Sequence, residues 1–492
     1  MKHFSASSPL RATTSSSPHL NGLIELSDLV QSALTPILPQ NCVEQAIQPS
    51  HKTIDFPTSS VNLDSYSHIA VFAVGKASSS MCVAALKKLS SNLSTSTTPV
   101  SSFVLSKPSH VTDAENRYLK DCGTQISYGS HPVPDDDSTS ASLELMEYCQ
   151  SRPKRTLFLA LVSGGTSALL TAPSPPLTTS HLSSVSSLLL KAGCDIVEMN
   201  KLRRCLDSAK GGGVLDWCLS SPSEGNSLHT LVISDVISDD CSFIGSGPTF
   251  LTSYNCVEAL STLDSALSAT TIPEEGEDKK LLEEVREFLI DRGDKEMGGR
   301  EREGYNEPSV ISSNKMMIRS LEEKVREMGG RVKVLFDGDM EGEARKVGVA
   351  LIDEVEKAGG EGGTFFLAGG ETTVTFSGNT SGKGGRNQEM ALAIAIELAQ
   401  RGIGECCSTV CFGTDGNDGP TDAAGAVVDG DTVRRIWEAA EVDRGEAGDA
   451  IELAKAFLDR HDAYNYFKGS PYLIQCGATG TNVADVVVIR TY

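Results

Sequence analysis

The chain has 492 residues, 39% of them hydrophobic and 22% charged, with a formal net charge of -22. That length accommodates about two or three domains with full cores. No run approaches the roughly 18 consecutive apolar residues of a membrane-spanning helix, and the acidic balance excludes a nucleic-acid surface, which needs a basic stripe.

From Met1 to Ile24 no acidic residue occurs, Ser and Thr are frequent, and Lys2 and Arg11 supply positive charge. Residues 1–22 are therefore expected as an extension, either a disordered tail or an organelle-targeting peptide. The chain is expected in the cytoplasm, or in a mitochondrion or plastid if the extension targets it. Helical patterning runs from Leu23 to Leu34. Apolar runs follow at Ile69–Val74, Ser102–Leu105, Thr156–Val162 and Leu228–Ile233, each ending in a small or glycine-containing turn. Such runs alternating with segments of 3.6-residue period predict an α/β fold with a parallel sheet and helices on both faces. Thirteen cysteines at irregular spacing, with no Cys-x-x-Cys, do not form a disulfide framework. They are expected as small buried hydrophobes in a reducing compartment.

Ligands of parallel sheets bind beyond the carboxyl ends of strands, so glycine turns there carry the chemistry. In an acidic protein an anionic substrate must be held by local cations against the overall field. The first such turn is Val74-Gly75-Lys76-Ala77, where Lys76 serves either as a point charge against phosphate or carboxylate or as an ordinary surface cation. Ser163-Gly164-Gly165 follows the third run. It is either a nest of amides for an oxyanion or a tight turn needing positive φ. Arg203 and then Lys210-Gly211-Gly212-Gly213 place basic groups before a third glycine turn, a weak signal because helix-surface cations are usually solvated. Asp235, after the fourth run, is either a metal ligand or proton acceptor or a helix N-cap.

Residues 273–308 are crowded with Glu, Lys, Arg and Gly and include a candidate acidic helix, Asp278–Asp291. They are expected as a solvated insertion or interdomain connector. A second α/β region follows, with strands Val332–Phe336, Gly363–Ala368, Ser408–Phe412 and Val486–Ile489 and helices Gly342–Ala358 and Glu389–Arg401. The run Gly382-Lys383-Gly384-Gly385-Arg386-Asn387-Gln388-Glu389 opens directly into the last of these helices. Free N–H groups at a helix start, the helix dipole and Arg386 together predict a seat for an anion, most simply a phosphate. The stretch Gly378–Gly384 imitates a Walker A loop, but Gly384 stands where Ser or Thr should hold magnesium. The loop Gly413–Gly425 carries Asp415, Asp418 and Asp422 after a strand and fits a magnesium-linked phosphate site better than a calcium loop. Gly477–Asn482, with Thr479, Thr481 and Asn482, is another small-residue turn.

In order along the chain, Ala73-Val74-Gly75-Lys76-Ala77, Gly129-Ser130-His131-Pro132-Val133-Pro134, Ser163-Gly164-Gly165, Ser234-Asp235-Val236 and Ser246-Gly247-Pro248-Thr249 resemble motifs of the class II glycerate kinases. So do Gly369-Gly370-Glu371-Thr372-Thr373-Val374, Gly384–Glu389, Gly413–Gly425 and Thr479-Gly480-Thr481-Asn482-Val483. The family is also known by its C-terminal MOFRL domain, and the resemblance covers about Leu23 to Ile489. It departs at Thr166, Ser238, the segment His461–Tyr464, and Asp207, which stands where the family usually has serine. The resemblance implies two domains with the active site in the cleft between them. Residues 23–272 would be a Rossmann-like three-layer α/β/α domain and residues 309–492 a smaller MOFRL-type α/β domain.

It also implies ATP-dependent phosphorylation of D-glycerate, in this class typically at the 2-hydroxyl, with Mg²⁺. Lys76, Arg386 and Asp235 are then the expected catalytic residues. Gly75, Ser163, Gly164, Gly165, Lys210, Glu371, Gly385, Asn387, Thr479, Thr481 and Asn482 are expected to bind substrate or phosphate, and Asp415 and Asp418 to hold magnesium. The partners expected are D-glycerate and ATP, with no nucleic acid and no membrane; monomer and homodimer both remain open. Hydroxypyruvate reduction and a non-catalytic sugar-acid-phosphate sensor are the alternatives. The first is disfavoured by the lack of a Gly-x-Gly-x-x-Gly fingerprint.

Overall fold

A run such as Thr156–Val162, apolar along its whole length, can only be a strand covered on both faces, because half-exposed strands alternate. In the computed structural model all seven of its residues are buried, as are those of Ser227–Ile233. The structure describes residues 18–50, 52–92, 98–219, 225–269, 277–293, 297–298, 302–359, 362–376, 382–439 and 448–492. Most of the 1–22 extension therefore lies outside the described residues, as do 273–276, 294–296 and 299–301 of the expected connector. The chain divides into two compact units, one formed by Pro39–Ile311 and the other by Met1–Leu38 with Ser312–Tyr492.

The Pro39–Ile311 unit is built on strands β1 (His68–Val74), β2 (Val100–Ser106), β3 (Gln125–Tyr128), β4 (Thr156–Val162), β5 (Ser227–Ile233) and β6 (Ser309–Ser312). Their order across the sheet is β6-β5-β4-β1-β2-β3, and the four pairs joining β1 to β5 are parallel. Helix α1 (Ser78–Asn92) packs on β1, β2 and β4. Alternate residues Ala70, Phe72 and Val74 turn instead toward Leu145 of α2 (Asp136–Gln150). From β1 the chain moves outward through β2 and β3, then crosses back to build β4, β5 and β6 on the other side. This is the doubly wound arrangement, and its switch point lies between the carboxyl ends of β1 and β4.

A helical layer completes this unit. Helices α3 (Thr179–Lys191), α4 (Ile196–Leu206), α5 (Cys256–Ala269) and α6 (Glu277–Arg292) share a core containing Val185, Leu189, Leu202, Leu263 and Val285. The start of α4 is fixed by a capping box, in which Asp195 accepts from the Glu198 amide (2.8 Å) and Glu198 from the Asp195 amide (3.0 Å). Helix α6 corrects the expectation of a solvated connector. Its Leu282, Val285 and Leu289 are 3%, 0% and 1% exposed. The spacing i, i+3, i+7 gathers them on one face, while the surrounding charges make the segment look solvated in the sequence.

The second unit has strands β7 (Arg331–Glu343), β8 (Thr364–Thr373), β9 (Cys407–Gly413), β10 (Gly425–Asp429), β11 (Leu473–Ile474) and β12 (Asp485–Thr491), in the order β7-β8-β12-β9-β10-β11. Only β7 and β8 pair in parallel. The final strand β12 enters between β8 and β9, antiparallel to both. Helix α7 (Asn314–Glu327) packs on β7 and β8, α8 (Ala344–Lys357) packs on α9 (Arg386–Arg401), and α9 is buried almost all round.

The helix Pro18–Leu34 belongs to this unit, whereas the sequence places residues from 23 onward with the first domain. Its Leu23, Leu26, Val30 and Ala33 are buried, and Ser320 Oγ of α7 donates to the Ala33 carbonyl (2.8 Å). Periodicity reveals an apolar face but not the surface that covers it. No helix among the described residues is long and apolar enough to cross a membrane.

The burial of α6 sets an expected outcome. Leu289→Ala should cost about 2–5 kcal/mol, as for other buried leucines, seen as a lower urea midpoint. A loss below about 0.5 kcal/mol, typical of a surface change, would return this helix to the role of a solvated connector.

Candidate active site

At the switch point two turns interlock. Gly75 follows β1 with φ of +121°, and a Cβ there would stand 2.3 Å from Ser163 Oγ. Only glycine lets the turns approach so closely. Lys76 N then donates to the Gly164 carbonyl (2.8 Å), Ser163 N to the Val74 carbonyl (3.1 Å), and Ala77 N to Ser163 Oγ (3.1 Å). Asp235, beyond β5, presses on the same turn, since a Cβ at Gly164 would lie 2.1 Å from Asp235 Oδ2. At Gly165 a Cβ would lie 3.0 Å from Lys76 Cγ and 3.3 Å from His131 Cδ2. Lys76, Gly75, Ser163, Gly164, Gly165 and Asp235 are thus brought together, and His131 joins them. Ser163 is 2% exposed, and its hydroxyl serves the turn itself.

The electrostatics of this cluster follow from crowding. Asp235 keeps an edge toward a cavity of about 650 Å³. Burial raises its pKa, opposed by the charge of Lys76. Burial, then the cations Lys76 and Lys107 and neighbouring His110, lower the His131 pKa to about 4, so its imidazole is neutral near pH 7. Lys76 Nζ makes no hydrogen bond or ion pair among the described residues, so its charge is available to a ligand. Lys210 backs the same cavity but is only 2% exposed. Its ammonium donates to the carbonyls of Ser167 (3.0 Å) and Leu170. Burial lowers its pKa to about 8, opposed by Asp207. Read from the sequence as a phosphate ligand, Lys210 is instead an internal brace in this structure.

In the second unit the start of α9 differs from the vacant anion seat predicted from sequence. Asp418 already fills it. Its Oδ1 accepts from the Asn387 amide N–H (3.0 Å) and its Oδ2 from the Gln388 amide N–H (2.8 Å) and from Gln388 Nε2 (2.9 Å). Gly385, the N-cap, lies directly against this carboxylate. Burial is the main cause that raises the Asp418 pKa to about 6, with Asp485 adding and the helix amides opposing.

Arg386 projects from the first turn. Its Nε and Nη2 donate to the two oxygens of Asp485 (2.5 and 3.0 Å) and its Nη1 to Glu371 (2.7 Å). Burial lowers the Arg386 pKa, but Asp485 and Glu371 outweigh it and the guanidinium stays charged. Asn387 Nδ2 bridges Asp418 and Asp485 (3.3 and 3.0 Å). Beside this network two loops support each other. Thr479 N donates to the Asp415 carbonyl (3.2 Å) and Thr479 Oγ1 to the Thr414 carbonyl (2.6 Å). Asp415 Oδ1 accepts from Asn417 N (2.9 Å), and Asn482 Oδ1 from Ala484 N (3.2 Å). Thr481 Oγ1 is buried with no hydrogen-bond partner among the described residues.

Three residues of these sites were not singled out from sequence. His131 lies within the Gly129–Pro134 motif, Arg203, which lines the cavity, reads in the sequence as a helix-surface cation, and Asp485 has no local signal. Among the described residues no group of three or more His, Cys, Asp or Glu side chains is arranged to hold a metal ion.

A doubly wound sheet with a free lysine and a glycine turn at its switch point defines an α/β enzyme that binds an anionic small molecule. Residues 25–278 match the model of a domain of unknown function (DUF4147), and residues 364–485 match the MOFRL family. Glycerate kinase of Danio rerio is 32% identical over 74% of this chain and 77% of its own. Glycerate 2-kinase of Pyrococcus horikoshii is also 32% identical, over the same shares of the two chains. The crystal structure of glycerate kinase from Thermotoga maritima superposes with a TM-score of 0.74 at 26% identity, covering 96% of this chain and 100% of that one. The chain belongs to the glycerate kinase family with a C-terminal MOFRL domain.

Two outcomes follow from the geometry. Asp418→Asn puts an amide where two backbone N–H groups need an anionic acceptor. It should cost about 1–3 kcal/mol and speed hydrogen exchange at Asn387 and Gln388; unchanged exchange there would remove the cap from the account. His131 has a folded pKa below its unfolded value. Its contribution is therefore present above pH 6.5, the ordinary histidine value, and lost as pH falls through about 4. His131→Gln should accordingly lose less stability than the parent protein between those two pH values in parallel denaturant titrations. Equal losses would show that the imidazole is not held neutral.

Proposed function

We propose that the protein transfers the γ-phosphoryl group of ATP to the 2-hydroxyl of D-glycerate, giving 2-phosphoglycerate and ADP. The supporting observation is Lys76, without a partner among the described residues, seated between the Gly164-Gly165 turn and Asp235 in a chain of this family. Phosphoryl transfer asks little covalent chemistry of a protein; it needs aligned reactants and charge placed where the transferred group passes. Lys76 supplies that charge, and the Gly164 carbonyl, accepting from Lys76 N, fixes its turn. Asp235 receives the hydroxyl proton. Burial raises its pKa, which makes it a stronger base than a free aspartate, and the charge of Lys76 opposes that rise.

Arg386 is the second cation in this reading. The fully buried carboxylate of Asp485 holds its guanidinium in one orientation, and Asn387, 1% exposed, acts through Asp485 rather than on a ligand. Glu371 is 43% exposed at its side chain, and it is the partner that a phosphate or carboxylate would displace from Nη1. Thr479, Thr481 and Asn482 shape the adjoining loops.

Magnesium fits part of the donor set. Among the described residues Asp235 accepts no side-chain hydrogen bond and Asp415 has one oxygen uncommitted, whereas both oxygens of Asp418 are taken by amides. A hard cation needs only one or two carboxylates beside the phosphates. Asp235 or Asp415 would hold it, and when bound it would offset the negative charge of the phosphates.

The test is direct. Protein, ATP, magnesium and D-glycerate are incubated and the product resolved by ³¹P NMR. The expected product is 2-phosphoglycerate. Lys76→Met and Arg386→Met should each lower kcat/KM by about a hundredfold, in line with the loss of one preorganised charge. Near-parental kcat/KM in both folded variants would overturn the assignment. NADH oxidation with hydroxypyruvate would favour the reductase instead.

A further inference from the structure

The cavity at the switch point is too large and too apolar for a three-carbon acid alone. Its volume is about 650 Å³, and its polar end is formed by Gly165, His131 and Asp235. An aliphatic part of its lining comes from α3 and α4 and includes Leu189, Leu190 and Ile196. Leu190 is 67% exposed and Ile196 48%, so two large aliphatic side chains stand in water at the mouth of a pocket that could cover them.

Arg203, also on α4, lines the same cavity. Its neighbour Arg204 donates to the Ser242 carbonyl (2.7 Å), but the Arg203 guanidinium makes no hydrogen bond or ion pair among the described residues. The nearby carboxylate Asp207 supplies charge, yet its Oδ1 is committed to the amides of Ala172 (3.0 Å) and Ala209 (2.9 Å). Asp278 at the rim accepts from Ser184 Oγ (2.8 Å). A partly buried cation without a hydrogen-bonding partner is costly unless an anion meets it. One ligand must therefore combine an apolar, flat end with an anionic end. Glycerate has only the second.

We propose that this cavity seats the nucleotide. Its base and ribose lie on the aliphatic wall of Leu190 and Ile196, and Arg203 meets its phosphates where they lead toward the Gly164-Gly165 turn and Lys76. The proposal rests on the kinase reading only for the nucleotide's identity. It divides the labour of the first unit between a phosphate end that is legible in sequence and a base-binding wall that is not.

The experiment titrates ADP, without glycerate, into the full chain and into Ile196→Glu and Arg203→Met, by calorimetry. Adenosine is titrated in parallel by saturation-transfer NMR. Ile196 is half-exposed, so its replacement leaves the core untouched, and circular dichroism checks both variants. Both should weaken ADP about tenfold or more, a loss of about 1.4 kcal/mol. Only Ile196→Glu should weaken adenosine, which carries no phosphate for Arg203. The KM for D-glycerate should stay within about threefold in Ile196→Glu. If ADP affinity is unchanged in Ile196→Glu, the wall does not hold the base and the proposal falls, while glycerate phosphorylation by the parent protein would still stand. If the variants lose ADP as expected but the parent protein phosphorylates no glycerate, the nucleotide seat stands and the acceptor assignment falls.

Discussion

The interlock of the Gly75 and Ser163 turns is the constraint on which the first unit's chemistry depends. Parallel strands buried on both faces have nowhere to place polar function except beyond their ends. At the carboxyl ends of β1 and β4 the chain diverges to opposite sides, leaving a crevice. Any side chain at position 75 would strike Ser163 and hold the two turns apart. With them pressed together, Lys76 is carried over Gly165 and beside Asp235, and among the described residues its ammonium has no partner. The sheet, the missing Cβ and the free cation are successive consequences of one packing requirement.

The second unit meets a different difficulty, which is to keep charges inside a dense core. Asp485 is fully buried at the start of β12, and α9 is buried around nearly its whole circumference. A buried carboxylate is tolerable only when its lone pairs are met. Arg386 and Asn387 meet those of Asp485, and the first amides of α9 meet those of Asp418. The same network that stabilises these carboxylates immobilises Arg386, so orientation of the guanidinium is a by-product of solving a burial problem. Its charge is largely balanced by Asp485 and Glu371, which is why this cluster differs in character from the uncompensated Lys76.

What was legible in the sequence divides along the same physical line. β4 and β5 could be read because a strand covered on both faces is apolar at every position. Lys76 and Ser163-Gly164-Gly165 could be read because they follow such strands at once. The strand β10 and the short β11 carry no comparable run, and the assignment of the Pro18–Leu34 helix depends on which surface covers it. Asp418 shows the limit most clearly. A free helix start before Arg386 is a sound inference from local sequence, but the carboxylate that fills it comes from a loop 31 residues further on. Only the tertiary path of that loop decides whether the seat is open to a ligand. The apolar stripe of α6 was hidden for a related reason, since composition averages over faces that folding separates.

Charge bookkeeping at the level of the whole chain also acquires a local meaning. In a chain with a net charge of -22, several buried or half-buried cations are met by carboxylates or carbonyls. Arg345 pairs with Glu389 (2.8 Å), Arg386 with Asp485, Arg401 with Asp353 (2.6 Å), and Lys210 with two carbonyls. Lys76 and Arg203 have no such partner among the described residues; Arg203 lines the cavity, and Lys76 packs against Gly165 of its lining. In an acidic protein a cation left unpaired beside a pocket is unlike its surroundings, because the long-range field works against any anion that approaches. Such a site retains an anion only through short-range contacts in a partly dehydrated space, where each charge is worth more than it is in water. Selectivity then comes from what the anion is attached to: an apolar wall next to the cation admits a molecule that pairs phosphate with a flat, weakly hydrated body and gives a bare acid no comparable gain.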